Sequence, residues 1–106
     1  MTIAVGVAEA AEADIAGTAA WYDQHARGLG ATFIGQVDAV IEKLRHHPEM
    51  YQVVFAPVRR AVIHRFPFAV IYHVRPASVE VLGVLPCRAD PELLQQRIAA
   101  VRNPMP

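Results

Sequence analysis

The chain has a single cysteine, Cys87, among its 106 residues. No internal disulfide can brace it, and a reducing compartment is the simple expectation. It has no net charge, ten basic residues balancing ten acidic ones, and so lacks the cationic excess on which nucleic-acid backbone binding usually rests. No apolar run approaches the ~18 residues of a membrane span, so no membrane partner is expected. The opening stretch, MTIAVGVAEAAEADI, carries no positive leader region and turns acidic early. That is a poor match to a secretion signal, and a cytoplasmic protein is expected. Repeats and low-complexity linkers are also absent. What is present is 54% apolar and 19% charged, too hydrophobic for general disorder. Its length suits one compact domain, taken as residues 1–106.

The charges are unevenly placed. Residues 1–50 hold seven acids and three bases, giving −4, whereas residues 51–106 hold three acids and seven arginines, giving +4. A neutral chain of this kind can still present a basic face to nucleic acid or to an acidic protein. The arginines Arg59, Arg60, Arg65, Arg75 and Arg88 crowd into one stretch, VRRAVIHRFPFAVIYHVRPASVEVLGVLPCRADP.

Periodicity changes along the chain. Thr2 to Val7 is a short β-branched run that reads as a strand. Ala8, Ala11, Ile15, Ala19 and Tyr22 then recur at helical spacing to about His25, with acids in the first turns where the helix dipole favours them. Trp21-Tyr22 falls on and beside this stripe and is read as hairpin core. Arg27-Gly28 interrupts, and Leu29, Phe33, Val37, Val40, Ile41 and Leu44 make a second stripe, ended by His46-His47-Pro48. Two helices so closely joined pack as an antiparallel hairpin. After Pro48 the period is two: Tyr51–Phe55, Val58–Phe66, Phe68–Arg75 and Val79–Leu85 read as strands, with Pro67 at a corner. Phe68, Val70, Tyr72 and Val74 share one face of the middle strand. Pro91 to Val101 reads as a C-terminal helix with proline at its first position, whose stripe Leu93, Leu94, Ile98 and Val101 either packs on the sheet or holds a partner. The fold class is α+β: a strand, a helical hairpin, then an antiparallel meander covered by the hairpin.

These residues, in this order, resemble the RelE/ParE superfamily of bacterial toxins from type II toxin–antitoxin modules. The marks are Ala19-Ala20-Trp21-Tyr22, Gly28-Leu29-Gly30 leading into Phe33, Val37-Asp38, Ile41, Pro48, Val58-Arg59-Arg60, Phe66-Pro67-Phe68 with Tyr72, and the exit Val84 to Pro91. No single motif is specific; the ordered series is, and it spans about Ala8 to Pro91. The resemblance implies the RelE/ParE-like fold, a cognate antitoxin partner and a role in plasmid stabilisation and growth inhibition. It also implies one of two activities. RelE-like members are ribosome-dependent mRNA endoribonucleases, and ParE-like members poison DNA gyrase. Positions that carry an arginine, a histidine and a second arginine in nuclease members hold Ala69, Pro86 and Ala89 here. No tyrosine follows Tyr72. These departures place the chain nearer the ParE-like branch, with the endoribonuclease as alternative and a degenerate, non-toxic antitoxin-binding member as a third reading.

Cleaving RNA through its 2′-oxygen needs a base, cations for the phosphate charge and an acid for the leaving oxygen. Arg65, Arg88, His64 and Tyr72 are the candidates for that chemistry. Under the binding reading, Arg59, Arg60, Arg65, Arg88, Leu94 and Ile98 are the candidate partner contacts. His64 and His73 share a face only if the strand register allows it. Without a third ligand they make no metal site, and no cofactor is expected.

Overall fold

The switch from helical to alternating periodicity at Pro48 becomes a division between a helical layer and the sheet it covers. The computed structural model describes residues 2–102. The elements are β1 (Ala4–Val7), α1 (Glu9–His25), α2 (Leu29–His46), β2 (Gln52–Phe55), β3 (Val58–Val62), β4 (Phe68–Val74), β5 (Ser78–Pro86) and α3 (Pro91–Arg102). The five strands form one mixed sheet in the order β1-β5-β4-β3-β2. β1 runs parallel to β5, with Val5 opposite Val79, and every other pairing is antiparallel.

The hairpin reverses at Gly28, whose φ of +86° lies in the left-handed region that glycine enters without steric cost. Asp23 Oδ1 then accepts the Gly30 N–H at 2.8 Å and satisfies an otherwise free donor at the start of α2. A side chain at Gly30 would strike the Ala19 carbonyl oxygen and the Asp23 carboxylate. The helices therefore meet backbone to backbone at this point.

Alternation along the strands sends two different sets of side chains to the two faces. Phe33, Val37, Val40 and Leu44 of α2 pack on Ala61, Val70, Tyr72, Val79 and Val81 of the sheet. Tyr22, Phe33, Phe66 and Phe68 form an aromatic cluster with centroids 4.9 to 6.2 Å apart, Phe66 and Phe68 meeting the other two rings edge to face and Tyr22 tilted on Phe33. The opposite face holds Val58, Ala69, Ile71, Leu82 and Leu85, covered by Ile98 of α3.

Several expectations are sharpened. Phe68, Val70, Tyr72 and Val74 do share the hairpin face. The third strand stops at Val62 rather than Phe66, because Arg65 adopts φ +72° and turns the chain. Phe66 is thereby swung into the aromatic cluster, and its carbonyl accepts the Phe68 N–H at 2.8 Å. Of the pair read as hairpin core, Tyr22 packs inward, but Trp21 is 53% exposed. The C-terminal stripe lies on the sheet through Leu93, Leu94 and Ile98; the side chain of Val101 lies outside the described residues.

Candidate functional site

β1 pairs only with residues 78–81 of β5, so the last part of β5, though paired with β4 on one edge, has no strand on the other. The gap is closed by two side chains from opposite faces of the sheet. Arg97 of α3 donates through Nη1 to Asp14 Oδ2 at 2.6 Å and through Nη2 to Asp14 Oδ1 at 2.9 Å, a bidentate pair. Asp14 Oδ2 also accepts the Val84 N–H at 3.0 Å, and Arg97 Nη1 donates to the Leu82 carbonyl at 3.2 Å. Both side chains are at least four-fifths buried. The bond to Asp14 pushes the Arg97 pKa above its ordinary value, with burial pulling the other way. Gly83 lets the clamp pass, since a Cβ there would lie 2.6 Å from Arg97 Nη1. Neither Asp14 nor Arg97 was legible as a partner of the other; a glycine inside the apolar second half of β5 is the one hint of a close approach.

Next to this clamp lies a mostly apolar groove of about 760 Å³. Its walls are Gly17, Thr18 and Trp21 of α1, the Pro67-Phe68 corner, Val84 to Pro86 of β5, and Leu93 of α3. Trp21 stands at its side, stacked on His25 with centroids 3.8 Å apart. Arg88 also lines the groove, is exposed, and has no ion pair or hydrogen bond among the described residues.

The candidate residues fall into separate groups. Arg59 and Tyr72 are cross-strand neighbours on the hairpin face, and both hold the segment leaving α2. Arg59 Nη1 donates to the carbonyls of Glu49 at 2.9 Å and Tyr51 at 2.7 Å, and the Tyr72 hydroxyl donates to that of Pro48 at 2.6 Å. The Tyr72 ring is fully buried, and burial pushes its pKa up to about 12, Arg59 pulling the other way. Such a phenol is a structural donor and has no path to a substrate. Ile98 is 2% exposed, inside the core beneath α3, while Leu94 is half-buried beside it. Arg60 lies on the α3 face, half-buried and opposite Ile71.

His64, Arg65 and Arg88 are exposed at one end of the sheet, where the Cys87 N–H bonds the Pro67 carbonyl at 2.9 Å. His73 is at the other end, paired with Val58 and Glu80. At about 3.4 Å per residue, the length of β4 separates the two histidines, so the register that would bring them together is not the one formed.

Comparison with known proteins fits this architecture. Residues 5–91 match the family model described as "ParE toxin of type II toxin-antitoxin system, parDE". A solved structure titled "Chromosomal ParDE TA system from P. aeruginosa" is similar with a TM-score of 0.61 and 14% identity, covering 80% of this chain and 96% of that one. At that identity the likeness is one of fold. No curated protein matches.

Proposed function

Because the chain belongs to the ParE toxin family of type II toxin–antitoxin systems, we propose that it arrests growth by binding a protein target, DNA gyrase, and is neutralised by a cognate antitoxin. The reading places it in the cytoplasm of a bacterium; among the described residues no helix is long and apolar enough to cross a membrane. One observation favours binding over RNA cleavage. The tyrosine that could have moved a proton is sealed in the core on the hairpin face. The exposed Arg65 and Arg88, with half-buried Arg60 and Leu94, are the side chains offered to a partner.

Expression of the chain should stop growth, and co-expression of the protein encoded beside it should restore growth. Purified chain should inhibit gyrase supercoiling, and supercoiling left intact at large excess would remove gyrase as the target. The shared position of His64, Arg65 and Arg88 supports the endoribonuclease as a second reading. Cleavage of translated mRNA seen by primer extension, and lost in Arg88→Ala, would replace the first reading with the second.

A further inference from the structure

The arginines of the second half of the chain have different fates. Arg59 is held by two main-chain carbonyls, Arg75 Nη2 donates to Glu80 Oε1 at 2.9 Å, and Arg97 is clamped to Asp14. Arg65 and Arg88 are exposed to water. Arg60 fits neither group. It is half-buried in β3, yet among the described residues it has no hydrogen bond or ion pair. A cation that gives up part of its water without gaining a partner is costly. The sheet cannot supply one, because Glu80, the one carboxylate in its five strands, is already with Arg75.

The surroundings of Arg60 are apolar and open. It stands between Gln52 of β2 and Ile71 of β4 on the α3 face, with Val62 two positions along the same strand. α3 packs on this face through Leu93, Leu94 and Ile98, and leaves Gln52 and Val62 uncovered, Val62 being 53% exposed. Among the described residues six large apolar side chains are this open to solvent. Four of them, Met50, Val53, Phe55 and Val62, lie in or beside β2 and β3. Exposed apolar residues gathered around one unpaired arginine match the composition of a protein contact, where arginine is a frequent anchor.

Charge selects the occupant. A nucleic acid would call for several cations in a row, and this face offers one. A second copy laid here about a twofold axis would bring its own Arg60 toward this one and no carboxylate from its strands. A partner with an acidic side chain beside an apolar one meets both demands. We propose that the β2–β3 side of the α3 face docks an acidic segment of the toxin's protein target, a carboxylate meeting Arg60 and an apolar side chain covering Val62. This rests on the proposed growth-arrest function and adds the place and chemistry of the contact.

The test expresses the full chain as wild type, Arg60→Glu and Val62→Thr, and measures growth arrest, inhibition of gyrase supercoiling and affinity for the protein encoded beside it. Arg60→Glu should raise the inhibitory concentration about tenfold or more, and the advantage of wild type should shrink with added salt. Val62→Thr, a β-branched replacement at an open position, should leave the thermal midpoint unchanged and weaken inhibition severalfold. Growth arrest should weaken in the same order, while affinity for the neighbouring protein stays at the wild-type value. Wild-type arrest and inhibition by both variants would overturn the proposal. So would a loss of affinity for the neighbouring protein alone, which would give the face to the antitoxin, or a wild-type dimer in sedimentation that both variants dissolve. A wild-type chain that arrests growth but leaves gyrase untouched would overturn gyrase as the target, and the arrest by the two variants would still decide the face.

Discussion

On the hairpin face of the sheet, Phe33, Val70, Tyr72 and Val81 are completely buried, and four aromatic rings interlock around them. On the α3 face the core is Val58, Ala69, Ile71, Leu82, Leu85 and Ile98, and Arg60 and Val62 beside it stay partly or largely open to solvent. Among the described residues the first face contains fourteen buried residues and the second six, so the burial that opposes chain entropy is mostly on the hairpin side. The second face is held by a polar clamp at its margin as well as by apolar area.

The strongest challenge to this comparison is Phe33→Ala. Removing a fully buried ring that touches Tyr22, Phe66 and Phe68 should cost about 3–5 kcal/mol in denaturant unfolding, a large share of the stability of a domain this size. A loss below ~1 kcal/mol would mean that the α3 face carries the fold after all.

Asp14→Ala should cost less, about 2 kcal/mol. It strands the Val84 N–H and leaves Arg97 without its partner, though both clamp side chains keep some contact with water, which reduces the penalty of a fully buried broken pair. The distribution of the damage sharpens the comparison. Amide exchange should quicken at Val84 and along α3, while β4 retains its protection. Uniform quickening across the sheet would show that the two faces are not separable.

Much of this division was legible in the sequence. Period-two alternation in Phe68 to Arg75 assigned the two faces of β4 correctly, and Gly28 and Pro48 marked the ends of helices for reasons of backbone geometry alone. The boundary at Phe66 was missed because Arg65, a residue with no turn signature, takes a left-handed conformation. Trp21 was misplaced because helical spacing identifies a stripe but not its width, and the groove beside Tyr22 leaves the indole uncovered. The clamp could not be read at all. Asp14 and Arg97 are 83 residues apart, and only the early end of β1 against β5 creates the gap that they fill. The arginines were over-read for the same reason: Arg59 looks identical to Arg88 in a sequence, yet it is bound to two main-chain carbonyls.

The smallest expected effect concerns Tyr72, which connects β4 to the turn at Pro48. Tyr72→Phe removes one hydroxyl and leaves the Pro48 carbonyl without its donor, and should cost about 1 kcal/mol near neutral pH. Its pH dependence has a definite sign. The phenol titrates at its ordinary 10.0 when unfolded and at about 12 when folded, so the unfolded chain releases this proton first. The stability that neutral Tyr72 contributes is therefore complete below pH 10 and is lost as the pH rises through 12. Tyr22 and Tyr51 are also raised by burial and titrate in both proteins, and Tyr51 lies against Tyr72 and adds to its rise, so the difference between wild type and Tyr72→Phe reports Tyr72 together with its coupling to Tyr51. That difference should stay constant up to about pH 10 and then shrink in urea melts taken at rising pH. A difference that stayed flat across the same range would place the Tyr72 hydroxyl in contact with solvent, and would return it to the set of groups able to exchange a proton with a substrate.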